Sequence, residues 1–173
     1  MPEAHAVLNA LGVDAARAAL RAACGAERWV ARMLERRPFA SDQELLSAAA
    51  DEWQSSSVDD YLEAFSHHPQ IGEDLAALEL RFASTSSLSK REQSGVEAAP
   101  RATLLALSAA NRAYRERFGF IFIICATGKT AGEMLAALEA RSLNERGVEI
   151  ALAAAEQAKI TRLRLLGLER LAT

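Results

Sequence analysis

Helix-starting patterns recur along this chain and constrain its fold more than any other feature. A serine or threonine stands three residues before an acidic residue at Ser41–Glu44, Ser57–Asp60 and Thr130–Glu133. In such a capping box, each of the two side chains accepts a backbone hydrogen bond at the helix start. Pro100 suits the first turn of another helix, where the N–H that proline lacks is not needed. Aromatic residues make up only 6% of the chain and alanine is abundant, so the sequence predicts an all-α fold in one domain, residues 1–173.

Glycines mark several predicted helix ends. The alanine-rich stretch 15–24 stops at Gly25, which we expect to act as a C-terminal cap. The helix that begins near Pro100 runs to Arg117, before Gly119. The last helix, about 149–171, is the longest.

One apolar segment, Phe120–Cys125, departs from this helical pattern. It is rich in residues that favour strands, but it spans only six positions. Periodicity over so short a run does not distinguish a buried extended segment from the buried continuation of a helix. Both conformations remain open from the sequence.

The composition argues against several classes of protein. A net charge of −3 leaves no large basic surface for nucleic acid. No apolar run approaches the roughly 20 residues that span a bilayer, and the N-terminal residues lack a secretory signal pattern. Cys24 and Cys125 lie far apart and outside any metal-binding spacing, which predicts free thiols in a reducing compartment. We therefore expect a cytoplasmic protein with no membrane or nucleic-acid partner.

The stretch Ala126–Thr130 imitates a phosphate-binding loop, because a Gly-Lys-Thr triplet follows an apolar run and precedes a helix. That motif requires a glycine five residues before the Gly-Lys pair, and this chain has Ile123 there. The chain also lacks the alternating strands and helices of nucleotide-binding folds. The sequence therefore argues against nucleotide binding.

The first candidate for chemistry is the sequence His67-His68-Pro69. Histidine titrates near neutral pH and is the usual proton carrier in enzymes. Proline disfavours helical dihedrals in the residue before it, so a helix should end near His68 and present it to a loop or cleft. A capping or surface histidine is the alternative interpretation. Adjacent histidines also suggest a metal, but no third ligand stands at a suitable spacing, so we expect no metal site.

The second candidate is the polar stretch from Ser89 to Gly95. On a helix, Ser89, Glu92 and Gln93 stand at i, i+3 and i+4 and share one face. Ser89 and Glu92 also match a capping box, which is the simpler explanation of that spacing. A helix start and a ligand-facing polar row are compatible, because helix N-termini favour anionic ligands.

The third candidate is Arg164 in the last helix. At about 100° per residue, Arg164 falls inside an apolar arc, whereas Arg162 falls on the opposite side. The arc is formed by Ile160, Leu163, Leu168 and Leu171. A buried arginine needs a partner, because an unpaired buried charge is very unfavourable. We expect either an internal carboxylate or an anionic ligand.

These motifs, in this order, resemble one enzyme family. The most specific segments are His68-Pro69, Ser89 to Gly95 (SKREQSG), Asn111 to Lys129 (NRAYRERFGFIFIICATGK) and Glu156 to Leu165 (EQAKITRLRL). They resemble the 2-oxo-4-hydroxy-4-carboxy-5-ureidoimidazoline (OHCU) decarboxylases, which form (S)-allantoin in the last step from urate to allantoin. The resemblance implies an all-helical homodimer that acts on OHCU and needs no metal or organic cofactor.

The resemblance also implies roles for individual residues. His68 becomes the catalytic acid/base, with Glu92 as the nearby carboxylate that orients it or the substrate. The remaining substrate contacts would be Pro69, Ser89, Gln93, the segment Phe122, Ile123, Ile124, Cys125 and Ala126 through its backbone groups, and Arg164.

Two loops depart from the family pattern. Many members read HPDLAG where this chain has HPQIG at 68–72, and FGFPF where it has FGFIF at 118–122. Loop geometry therefore does not follow from the resemblance. A different hypothesis is a non-catalytic helical interaction module, in which His68 is a cap and Arg164 forms an ion pair, with Glu92 as a candidate partner.

Overall fold

The computed structural model describes residues 3–69 and 99–172, which consist of helices and connecting segments. In chain order the helices are α1 (Ala4–Ala10), α2 (Val13–Ala23), α3 (Glu27–Glu35), α4 (Asp42–Gln54), α5 (Val58–Ser66), α6 (Ala99–Phe118), α7 (Ala131–Arg141) and α8 (Arg146–Leu166), followed by a 3₁₀ helix (Gly167–Ala172). No strand is present in the two described ranges, and the predicted all-α class is confirmed.

Contacts between residues divide the chain into two compact units. The first comprises Met1–His68 and Ile150–Thr173, and the second comprises Pro69–Glu149. Each unit is described by itself below. The single domain over residues 1–173 stays a prediction.

Local capping defines the starts of α4, α5 and α7. The predicted capping boxes that begin at Ser57 and Thr130 are both present, with the two hydrogen bonds that define them. Ser41 also accepts from the backbone N–H of Glu44, at 3.1 Å. The Glu44 carboxylate, however, accepts from the N–H of Ala40 at 2.6 Å, so the predicted return bond to Ser41 is wrong by one residue.

The core of the first unit is apolar, and its buried indole N–H groups have backbone acceptors. The side chains that are almost fully buried include Leu8, Leu20, Trp29, Met33, Leu45, Phe65 and Leu165. Trp29 donates to the carbonyl of Ala49 at 3.1 Å, and Trp53 donates to the carbonyl of Ala154 at 2.9 Å. The first bond joins α3 to α4. The second joins α4 to α8, the helix that carries Arg164.

The apolar segment Phe120–Cys125 belongs to the second unit and is non-helical and largely buried. Gly119 ends α6 with a φ of 79°, a conformation that glycine adopts without strain. Arg141 of α7 contacts this segment at both its backbone and one of its side chains. Its guanidinium donates to the carbonyl of Ile123 at 2.8 Å and lies 4.6 Å from the centre of the Phe122 ring.

A fully buried carboxylate, Glu149 of α8, positions that arginine. Its Oε1 accepts from Arg141 at 2.5 and 2.8 Å and from the Tyr114 hydroxyl at 2.5 Å. Its Oε2 accepts from the Asn144 amide at 3.0 Å. Burial and the hydrogen bond to Glu149 raise the pKa of Tyr114 well above its usual range, so the phenol stays a donor. The buried negative charge is therefore fully compensated.

We expect Glu149→Gln to destabilise the protein strongly. The substitution preserves the side-chain size but leaves the largely buried Arg141 without its counter-charge, and breaking a buried pair costs about 3–5 kcal/mol. Chemical denaturation followed by circular dichroism measures the free energy of unfolding. The control is Glu145→Gln at an exposed position, with an expected change within about 0.5 kcal/mol. Equal stability of the two variants would contradict the anchoring role of Glu149.

Candidate active site

An open cavity of about 450 Å³ lies in the first unit, where the C-terminal parts of α2, α5 and α8 meet. Small residues, two arginines and two histidines line it: Ala18, Arg21, Ala22, Gly25, Ala64, His67, His68 and Arg164. The structure thus brings two predicted site residues, His68 and Arg164, to the same cavity. The volume lies within the range typical of small-molecule sites.

His68 stands just after the end of α5. The helix stops before the His67-His68 pair, as the proline at position 69 predicts. The imidazole of His68 is half-buried, and its Nε2 is hydrogen-bonded to Oε1 of Gln157 on α8. This bond fixes the ring at Nε2 and does not involve Nδ1.

The surroundings of His68 favour its neutral form. Burial lowers the pKa of the imidazole below its ordinary value. The hydrogen bond to Gln157 opposes this effect, whereas electrostatic repulsion from Arg164 and, to a smaller extent, from His67 adds to it. At neutral pH the ring is therefore uncharged, with one N–H and one free lone pair.

The prediction that Arg164 lies on the buried stripe of the last helix is wrong. Arg164 is exposed, and Leu163, one of the leucines used to define that stripe, is 46% exposed. The buried positions of α8 in the first unit are Ile150, Ala153, Ala154, Gln157, Thr161 and Leu165. Several of these buried residues are small or polar and carry little hydrophobic signal. The apolar residues of the sequence therefore predicted a buried face that is rotated about the helix axis relative to the observed one. Arg164 stands at the edge of the buried face.

The guanidinium of Arg164 has a defined partner despite its exposure. Its Nη1 donates to the carbonyl of Ala22, in the last turn of α2, at 3.1 Å. A helix end leaves such carbonyls without intrahelical donors and favours a nearby cation. Arg164 is thus held at the cavity by backbone, and its other donors are not used by this bond.

The other predicted site residues do not line this cavity in the described part of the chain. Pro69 follows His68 and is exposed. Ser89, Glu92 and Gln93 lie outside the described residues. The segment Phe122, Ile123, Ile124, Cys125 and Ala126 belongs to the second unit, where the first four are buried and Ala126 is half-buried. The carbonyls of Ile123 and Ala126 already accept from Arg141 and from the N–H of Lys129.

Sequence reasoning missed two residues next to His68. Gly25 is not the C-terminal cap that we predicted, because Cys24 is the C-cap residue of α2 and the φ of Gly25 is not positive. A Cβ on Gly25 would lie 2.6 Å from the side chain of His67, so the glycine permits close approach. Gln157 is the second, and an amide and a hydroxyl one turn apart, at 157 and 161, were its only signal.

Residues 3–69 and 99–172 contain neither a metal-binding cluster nor a membrane-spanning helix. No group of three or more histidine, cysteine, aspartate or glutamate side chains is arranged to hold a metal ion in these ranges. No helix among them is both long and apolar enough to span a membrane. Cys24 and Cys125 are buried and are not joined in a disulfide, and burial raises the pKa of the Cys24 thiol to about 11.

Comparison with known proteins identifies the family. The sequence profile of the OHCU decarboxylase family matches residues 9–166. A uric acid degradation bifunctional protein, TTL, of Arabidopsis thaliana is 43% identical over 82% of this chain, and the chain spans 44% of that protein's length. A 2-oxo-4-hydroxy-4-carboxy-5-ureidoimidazoline decarboxylase of Haloferax volcanii is 32% identical, with 79% of each sequence covered. The chain belongs to the OHCU decarboxylase family.

A solved structure agrees with this assignment. A crystal structure of OHCU decarboxylase in the presence of (S)-allantoin superposes with a TM-score of 0.65 at 38% sequence identity. The match covers 84% of this chain and 92% of the other. The all-helical fold predicted from the motifs is therefore that of a solved family member.

We expect Gly25→Ala to disturb the His67-His68 turn. The added methyl group would overlap His67, and overpacking of this kind costs about 1–3 kcal/mol. Thermal and chemical unfolding measure the loss. Gly147→Ala is the matched control: it lies in the first turn of α8 with open space around it, so it should be neutral or stabilise by up to about 1 kcal/mol. If both variants were stabilised, the close approach at Gly25 would be refuted.

Proposed function

We propose that this protein catalyses the cofactor-independent decarboxylation of OHCU to (S)-allantoin, the last step from urate to allantoin, with His68 as the proton carrier. One observation carries the proposal: a histidine that is neutral at neutral pH and an arginine line one small-molecule cavity in a member of this family. The family profile covers most of the chain, which supports the same reaction.

The chemistry of the substrate explains why two such side chains suffice. OHCU carries a carboxylate and a hydroxyl on one ring carbon. The electron pair left by departing CO₂ enters the ring system, where a ring nitrogen takes up one proton from solvent, so no Schiff base or thiamine is required to hold the pair. The hydroxyl then loses a proton as it becomes a carbonyl, and a proton is added to the neighbouring carbon. That second step creates the stereocentre of allantoin, so the enzyme must direct the proton to one face.

Neutral His68 suits both proton steps. Its free lone pair can accept the proton of the substrate hydroxyl, and the resulting imidazolium can return it to carbon. Burial and the positive charge of Arg164 lower the pKa of the ring, which makes the imidazolium a stronger acid. Base and acid would thus be the same side chain in successive steps.

Arg164 would bind the oxygen atoms of the substrate. Its fork is held at the cavity by the bond to Ala22, and a planar guanidinium pairs well with a carboxylate. Arg21 also lines the cavity, and its guanidinium is paired with Glu27 at 2.5 Å. The family resemblance further supports Glu92, Gln93 and Ser89 as substrate contacts, together with Pro69 and the backbone of residues 122–126. It also supports a homodimer in the cytoplasm, without nucleic-acid or membrane partners.

We expect His68→Asn to abolish most of the turnover while the protein remains folded. A positioned acid/base group contributes about 10²–10⁴-fold, so kcat should fall at least about 10²-fold. Urate oxidase and the hydrolase that follows it generate OHCU from urate in the cuvette. Circular dichroism then follows the appearance of optically active allantoin.

His67→Ala is the comparison variant for this assay and should lower turnover only slightly. Equal losses in the two variants, or full activity of His68→Asn, would contradict the role of His68. No acceleration by the unaltered protein would refute the proposed reaction and favour a non-catalytic helical module.

Arg164→Lys should impair catalysis more than folding. Lysine retains the charge but loses the planar fork, and a charge-assisted hydrogen bond contributes about 1.5–3 kcal/mol. We therefore expect kcat/KM to fall about tenfold to 10²-fold in the coupled assay. Arg162→Lys is the matched control, since Arg162 is exposed and lines a separate hollow beside α4. A loss of stability with unchanged kinetics in Arg164→Lys would indicate a purely structural arginine.

A further inference from the structure

Two polar side chains interrupt the buried face of α8 in the first unit. Gln157 is fully buried and Thr161 is 6% exposed, and they stand one helical turn apart. Burying an amide and a hydroxyl is unfavourable unless each is hydrogen-bonded. Both are bonded here, to each other and to groups on either side, so they form a continuous chain of hydrogen bonds.

The direction of this chain is set at its far end. The hydroxyl of Thr161 lies 3.3 Å from the backbone carbonyl of Ala23, which can only accept. The hydroxyl of Thr161 therefore donates its proton to that carbonyl.

The orientation of the Gln157 amide follows from the threonine. Because the Thr161 hydroxyl gives its proton to Ala23, its oxygen accepts from Nε2 of Gln157, at 3.0 Å. The amide oxygen of Gln157 then faces Nε2 of His68. The reverse orientation would direct two acceptors at one threonine proton and leave the carbonyl of Ala23 without this donor.

We infer that Gln157 and Thr161 are positioning residues that hold His68 in the tautomer with its proton on Nε2. An amide oxygen can only accept, so the nitrogen that faces it must carry the hydrogen. The free lone pair is consequently on Nδ1, and Nδ1 is the atom that takes up and returns the substrate proton. The tautomer stands on the hydrogen bonds alone, whereas the use of Nδ1 rests on the proposed function.

The tautomer can be read directly by NMR of protein labelled with ¹⁵N in its histidine rings. Protonated and unprotonated ring nitrogens differ strongly in chemical shift. The chain has three histidines, and His68→Asn identifies the signals of His68 by their loss. Above the pKa of His68, we expect Nε2 to be the protonated nitrogen and Nδ1 the unprotonated one. Protonation of Nδ1 instead would overturn the inference, whether or not the protein makes allantoin.

Substitutions then test whether this chain of hydrogen bonds determines the tautomer of His68. Gln157→Leu should bring the two ring-nitrogen shifts closer together as both tautomers become populated. It should also lower kcat between about tenfold and 10²-fold, the effect of a misplaced catalytic group, with little change in KM.

Thr161→Val and Thr161→Ser form a matched pair. Valine removes the hydroxyl at nearly constant size, so the amide of Gln157 loses its orientation and the ring shifts should move toward each other. Serine retains the hydroxyl and should restore both the ring shifts and kcat. Unchanged ring shifts in Thr161→Val, or equal effects of valine and serine, would refute the role of this chain even if Gln157→Leu failed to fold.

Absence of allantoin formation by the unaltered protein, with the expected tautomer present, would refute the proposed reaction and leave the positioning of His68 intact.

Discussion

The candidate site depends on how α8 meets the C-terminal end of α2. An α-helix leaves its last carbonyls without intrahelical donors, and a buried helix end needs donors from elsewhere. Thr161 and Arg164 supply them to the last two residues of α2. The same face of α8 carries Gln157 to the ring of His68. One helix-end interaction therefore positions the histidine, its hydrogen-bonded support and the cation of the cavity.

In the second unit, a buried ion pair supplies the donor that an otherwise unpaired backbone carbonyl needs. Glu149 is fully buried, and an uncompensated carboxylate there would be very unfavourable. Arg141 compensates it and also donates to the carbonyl of Ile123, in a segment that has no helical bonds of its own. An apolar stretch that sequence periodicity leaves ambiguous thus acquires one conformation, because its backbone partner comes from α7.

Membership of the OHCU decarboxylase family and the geometry around His68 are consistent with a reaction in which the protein supplies little besides proton control and anion binding. The substrate itself accommodates the electron pair that CO₂ leaves behind. What solution chemistry lacks is a preference for one face of the ring. Under the proposed function, a neutral imidazole in the inferred tautomer, beside the guanidinium held at the cavity, would provide such a preference through geometry alone.

The sequence by itself determined the helical class, the starts of α5 and α7 and, through its motifs, the family, and it singled out His68 and Arg164 as site candidates. These features are local, because a cap or a proline acts on its immediate neighbours and a motif is contiguous. The tertiary structure alone decided that Arg164 is exposed at a helix end, since the buried face of α8 is centred on alanine, glutamine and threonine, which give weak hydrophobic signals. It alone also decided the close approach at Gly25, the pairing of Gln157 with His68 and the conformation of residues 120–125. Each of these depends on a partner distant in the chain, and no local pattern specifies which distant group a side chain will meet.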